Sequence, residues 1–111
     1  FQSLHPAMIK MYDHTIKAGK RAGIEVGMCG ELAANPLATM LLVGLGLDEL
    51  SVSPVAIPEI KKLIRSMTLS EAEEFAGKVK EFDTTVELTR FCLDKMKRRF
   101  ANLPIWFNEN A

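Results

Sequence analysis

At 111 residues the chain has room for one domain, and its fourteen basic residues balance fourteen acidic ones in a sequence nearly half apolar. That is the composition of a globular protein in water. It offers neither the net positive charge that draws proteins to nucleic acid or anionic lipid nor the cysteine spacing of a disulfide framework or zinc site. The two cysteines, Cys29 and Cys92, fit a reducing compartment, and the cytoplasm is the expected location. The first residues lack the basic and then apolar pattern of a signal peptide.

Pro6, at a first-turn position, opens the first predicted helix. Met8, Tyr12 and Ile16 share its expected apolar face, Lys10, Asp13, His14 and Lys17 lie largely off it, and Gly23 supplies a stop. Ile24 to Cys29 then alternates as a strand does, with Ile24, Val26 and Met28 on one face and Glu25, Gly27 and Cys29 on the other. Asn35 is a good N-cap followed by Pro36, and the helix predicted to run to about Gly46 is apolar on nearly every side. The uncharged run from Leu32 to Leu47 is shorter than the ~20 residues of a membrane span and includes Asn35, Pro36 and Thr39, so a buried helix is expected there. A second strand, Glu49–Ser53, ends at Pro54. Strand, helix and strand from Ile24 to Ser53 fill the ~30 residues of a βαβ crossover, which predicts parallel, right-handed pairing.

Pro58 begins the next helix, whose apolar face is Ile57, Ile60, Leu63 and Ile64. Ser70 with Glu73, and Thr84 with Glu87, have capping-box spacing and predict two more helices. In the last, Leu88, Phe91, Cys92, Met96 and Phe100 recur at helical spacing, which makes Cys92 a core residue. The cluster Lys95, Lys97, Arg98 and Arg99 closes that helix, where cations complement the negative end of the macrodipole. The tail from Leu103 to Phe107 is apolar but not helical and needs a surface to cover. Two strands alone rarely make a stable sheet, so the chain is expected to be part of something larger, and the absence of an initial methionine agrees.

Candidate chemistry concentrates in Gly27-Met28-Cys29-Gly30-Glu31-Leu32-Ala33, where a strand hands over to a capped helix. In α/β enzymes, loops at the carboxyl ends of parallel strands converge on the active site. Gly27 and Gly30 leave room beside the thiol, and Gly30 permits backbone angles closed to other residues. Two readings of Cys29 stay open at this point: a catalytic cysteine or a buried structural thiol. Glu31 either orients a ligand or metal or is simply solvated or capping. His5 and His14 have no nucleophile that the sequence places beside them, and Gly44-Leu45-Gly46 ends a helix rather than cradling phosphate.

These residues also carry a resemblance. Leu4-His5-Pro6-Ala7, the turn from Gly27 to Ala33, Gly44-Leu45-Gly46-Leu47-Asp48-Glu49-Leu50-Ser51-Val52-Ser53, and Ile57-Pro58-Glu59-Ile60-Lys61-Lys62-Leu63-Ile64-Arg65 occur in an order that resembles the carboxyl-terminal part of enzyme I of the bacterial phosphotransferase system. The likeness is strong from Leu4 to about Arg65. It continues more loosely through Thr84-Thr85-Val86-Glu87-Leu88 and has no clear counterpart beyond about Arg98.

The resemblance implies an α/β chain that is the carboxyl-terminal part of a (β/α)8 TIM barrel. Residues 1–66 would supply two parallel strands with their flanking helices, and residues 67–111 the terminal helices and tail. It implies a homodimer, phosphoenolpyruvate and Mg2+ bound by the intact barrel, and transfer of the phosphoryl group to a histidine on an amino-terminal domain and then to a histidine phosphocarrier protein. Cys29 matches the cysteine that protonates the enolate to give pyruvate, and Gly30 and Glu31 fall beside the substrate. The metal ligands, the phosphate-clamping arginines and the phosphorylated histidine have no match here, so the chain alone is expected to be inactive. Two alternatives remain: a pyruvate phosphate dikinase or phosphoenolpyruvate synthase barrel with a similar GxCGE turn, and a non-catalytic dimerisation module. The latter would expose apolar faces at Leu41, Val43, Leu50 and Val52 and self-associate.

Overall fold

A computed structural model describes residues 4–105. Helices α1 (Pro6–Ala22) and α2 (Pro36–Leu45) alternate with strands β1 (Gly27–Cys29) and β2 (Glu49–Ser51), and helices α3 (Ile57–Arg65), α4 (Leu69–Val79) and α5 (Thr85–Arg99) follow. The strands pair in parallel with Gly27 opposite Glu49, Met28 opposite Leu50 and Cys29 opposite Ser51. The expected βαβ unit is present, with α2 as its crossover.

Helix α2 is the centre of the molecule. Asn35 caps it by accepting a hydrogen bond from the Leu37 N–H at 3.0 Å, and Gly46, at φ 97°, closes it. Every residue between those caps except Val43 and Gly44 is buried. The helix is wrapped by α4 above all, and by α3, α5 and α1. Gly44 has a role separate from helix termination: a Cβ there would stand 1.9 Å from the Ala72 carbonyl oxygen, so the glycine is what lets α4 approach. No helix among the described residues is long and apolar enough to cross a membrane.

Both strands are shorter than the alternation suggested. At the start of β1, the Ile24 N–H closes the end of α1 on the Gly19 carbonyl, and Ile24 is 63% exposed instead of packed with Val26 and Met28. Asp48 then takes over from a regular ladder, accepting from the Val26 N–H through its side chain at 2.9 Å while its own N–H donates to the Val26 carbonyl. At the far end of β2, the Ser53 carbonyl accepts from the Ala56 N–H in a turn, which ends pairing at Ser51.

The helix faces need similar adjustment. The buried stripe of α1 is Ile9, Ile16 and Gly19 with Tyr12 partly covered, and Met8 lies one position off that seam and is exposed. On α3, Ile60 and Leu63 are buried whereas Ile57 and Ile64 remain 40% and 39% exposed. Leu41, expected on an open face, is fully buried inside this chain, while Val43, Leu50 and Val52 are half-buried.

The capping box of α4 is Thr68 with Glu71, not Ser70 with Glu73: Thr68 Oγ1 accepts from the Glu71 N–H and Glu71 Oε1 accepts from the Thr68 N–H. The two pairs share one spacing, but α4 begins at Leu69, which makes Thr68 the N-cap and leaves Ser70 inside the first turn. Thr84 does cap α5, accepting from the Glu87 N–H at 3.3 Å.

Helix α5 buries Leu88, Cys92 and Met96, and Phe91 packs between Phe75 and Phe82 with ring centroids 5.6 and 5.0 Å away. Burial pushes the Cys92 thiol up to about 12, as a core residue requires. Arg99, at the end of α5, is more than a dipole complement. Its guanidinium donates to both Glu71 carboxylate oxygens at 2.9 Å and to the Ser66 carbonyl at 2.7 Å. At the other end, the Leu4 N–H donates to Thr89 Oγ1 and His5 Nδ1 meets Thr85 Oγ1, so the lead into α1 is tied to α5. Ile105 of the apolar tail reaches the core and is buried. Trp106 and Phe107 lie outside the described residues.

Candidate functional site

The two faces of the β1–β2 pair differ in kind. Met28 and Leu50, opposite each other in the register, pack against the hydrophobic core. Gly27, Cys29, Glu49 and Ser51 occupy the other face, and all four are exposed. Side chains alternate along a strand, so one register decides the whole arrangement: the apolar pair is covered and the polar pairs look outward.

Cys29 is the last residue of β1 and its thiol is exposed. Within this chain the Cys29 thiol is uncovered, and Cys92 is the buried one. Directly after Cys29 the chain turns at Gly30, with φ 93°. A Cβ at Gly30 would meet nothing within 4 Å, so glycine is needed for the sign of φ and not for space. The turn is then held by the Ala34 N–H on the Gly30 carbonyl and the Asn35 N–H on the Leu32 carbonyl, while Ala33 buries itself as an anchor. Glu31 is left exposed beside Gly30. Cys29, Gly30 and Glu31 thus form one open turn at the carboxyl end of a parallel strand.

Two further residues share this face. Glu49 lies alongside Gly27, where a Cβ would sit 3.4 Å from Glu49 Cβ and 3.9 Å from its carboxyl carbon. Ser51 stands opposite Cys29 itself. Neither was singled out from the sequence. The alternation Glu49-Leu50-Ser51-Val52 contains the signal, but which residue faces Cys29 depends on the register between strands, and one strand's pattern does not contain that.

The histidines stay apart from this chemistry: His5 is engaged with Thr85, and His14 is exposed midway along α1. Among the described residues no three His, Cys, Asp or Glu side chains come together in a way that could hold a metal ion. A cavity of about 470 Å³ opens between α2, β2 and α3, lined mainly by apolar side chains such as Val43, Leu50, Val52, Ile57 and Ile64, with Asp48, Glu49 and Lys61 also in its wall. Cys29 is not among its lining residues.

Comparison with known proteins bears on the same residues. Residues 1–69 match the family described as PEP-utilising enzyme, PEP-binding domain, a stretch that contains both strands and the Cys29 turn. Proteins named phosphoenolpyruvate-protein phosphotransferase are similar over most of the chain. That of Haloferax volcanii is 42% identical over 83 residues, 75% of this chain and 15% of that protein. That of Haemophilus influenzae is 39% identical over 88 residues, 79% of this chain and 15% of the other. That of Bacillus subtilis is 36% identical over 97 residues, 87% of this chain and 17% of the other. The chain therefore spans about one sixth of the length of the curated relatives it matches. With the family matched across both strands and the open turn between them, the chain belongs to the PEP-utilising enzymes, within their PEP-binding domain.

Proposed function

We propose that this chain is the carboxyl-terminal part of the phosphoenolpyruvate-binding barrel of a phosphoenolpyruvate-protein phosphotransferase, and that Cys29 protonates the enolate left after phosphoryl transfer. The observation that carries this reading is the exposed Cys29 thiol on the uncovered face of a parallel strand pair, one residue before the turn at Gly30. In a (β/α)8 barrel the face opposite the helices looks inward and the carboxyl ends of the strands form the active-site mouth. The names of the relatives favour this branch over a dikinase or synthase barrel.

The chemistry follows from what phosphoenolpyruvate leaves behind. Once its phosphoryl group has passed to a protein histidine, the remaining enolate must gain a proton at its terminal carbon. A thiol holds its proton at neutral pH yet can give it to a carbanion-like carbon nearby. The S–H bond breaks as the C–H bond forms, pyruvate results, and the electron pair stays on sulfur. Gly30 lets the backbone come close to the substrate, and Glu31 orients it. The Mg2+ ligands, the phosphate-clamping arginines, the phosphorylated histidine and the contact with a histidine phosphocarrier protein belong to other parts of a longer, cytoplasmic, dimeric protein. A bound Mg2+ would supply charge neutralisation for the phosphoryl group.

The test is Cys29→Ala in the full-length protein that carries this segment. Pyruvate release should fall on the order of 100-fold or more, the usual worth of a general acid, while phosphorylation of the protein histidine persists. A packing module without chemistry, the reading suggested by the half-covered faces of Ile57 and Ile64, predicts instead that release is unchanged.

A further inference from the structure

Ser51 sits opposite Cys29 in a parallel register, and both are exposed on the same face of the sheet. Adjacent strands run about 4.8 Å apart, and residues opposite each other send their side chains out side by side. The structure holds no hydrogen bond between the two, but each side chain ends one bond beyond Cβ, so rotation about χ1 can turn the hydroxyl toward the sulfur. The neighbouring rung has no comparable donor: Gly27 has no side chain, and Glu49 presents a carboxylate, which cannot donate a hydrogen bond when ionised. On this face, among the described strand residues, the Ser51 hydroxyl is the side-chain donor placed beside the thiol.

We propose that Ser51 is a positioning residue for Cys29, its O–H donating a hydrogen bond to the sulfur and holding the thiolate that remains when Cys29 gives up its proton. This rests on the reading of Cys29 as the proton donor, and it adds a second residue that no part of that reading required. A hydrogen bond to an ionised group is stronger than one to a neutral group, so the hydroxyl matters most once the proton has left. It also fixes one rotamer of a thiol that stands otherwise exposed, which aims the S–H bond.

The chain carries its own assay, because Cys29 is exposed and Cys92 is buried with its thiol pushed up to about 12. Alkylation by iodoacetamide attacks the thiolate, so at neutral pH it reads the stability of the Cys29 anion, and protection of Cys92 reports that the fold is intact. Two variants of one shape isolate the hydroxyl: Ser51→Thr keeps it and Ser51→Val removes it, both with strand-forming side chains. Cys29 should react at wild-type rate in Ser51→Thr and about fivefold more slowly in Ser51→Val at pH 7. The difference should close above about pH 10, where thiols are ionised without help. Equal rates in the two variants, or a deficit that persists at high pH, overturn the proposal. If Ser51→Val exposes Cys92, Ser51→Ala takes its place under the same criteria. The readout is separate from turnover. A hydroxyl-dependent rate together with full pyruvate release in Cys29→Ala removes the donor role and leaves the pairing, whereas the reverse pattern removes the pairing alone.

Discussion

The two cysteines show how one residue type is given opposite properties by its surroundings. Cys92 sits among Leu88, Met96 and the rest of the core, where burial pushes its thiol to about 12. Cys29 stands in the open at a strand end. In the folded chain at pH 8, alkylation followed by mass spectrometry should modify Cys29 and leave Cys92 intact, with both modified in strong denaturant. The sequence distinguished them only halfway. Helical spacing marked Cys92 as a core residue, but Cys29 could be assigned to an exposed face only once the β1–β2 register was known, and that same register revealed Ser51 beside it.

At the scale of elements, the order of helices and strands was readable because each carries local punctuation: Pro6, Gly23, Asn35 with Pro36, and Gly46 all act where they stand. The misplaced details concern choices between local competitors. Ser70 and Thr68 offer equally spaced capping boxes, and the one chosen puts Glu71 within reach of Arg99, a contact 28 residues away in sequence. Gly44 looked like part of a helix stop because the helix that crosses it is also distant in sequence. Gly44→Ala should cost about 1–3 kcal/mol by overpacking against Ala72. Gly77→Ala is the matched control, since a Cβ there meets nothing within 4 Å, and it should gain about 0.5–1 kcal/mol. Urea titrations of the two variants check the opposite signs.

The clamp between α4 and α5 has a pH dependence of defined sign. Hydrogen bonds from Arg99 hold the Glu71 carboxyl below its ordinary 4.5, with the Thr68 N–H adding to the effect and burial opposing it. A depressed folded value means that the stabilisation is present above pH 4.5 and is lost as pH falls through that lower value. The two side chains are 36% and 26% exposed, so solvent screening limits the contribution to about 1 kcal/mol. Arg99→Ala should lower the urea midpoint more at pH 7 than near pH 2, where Glu71 is protonated in both proteins. An equal loss at both pH values would mean that the arginine acts through contacts that do not titrate, its bond to the Ser66 carbonyl and its packing on Phe100, whose ring lies 4.9 Å from the guanidinium carbon.

On the scale of the whole molecule, two three-residue strands contribute little to stability, and the core is built around α2 by helix packing. The Cα radius of gyration, 13.3 Å, is that of a compact chain of this length. That is why Leu41 needs no partner from outside, contrary to the expectation from an open barrel, while the faces of Ile57 and Ile64 remain partly bare. With the Mg2+ ligands and phosphate-clamping arginines proposed to lie elsewhere in the longer protein, isothermal titration of the 111-residue chain with phosphoenolpyruvate and Mg2+ should show no micromolar binding, and such binding would contradict that division of the active site.

The central claim, that Cys29 delivers the proton, is tested most directly by the configuration of the product. Phosphoenolpyruvate labelled stereospecifically with hydrogen isotopes at its terminal carbon yields a chiral methyl group when a fixed acid protonates one face. The full-length protein should give pyruvate of a single methyl configuration. The Cys29→Ala variant should release its small residue of pyruvate with the configuration scrambled, because the enolate then collects its proton from water. Pyruvate formed by Cys29→Ala at undiminished rate and with a single configuration would contradict the account.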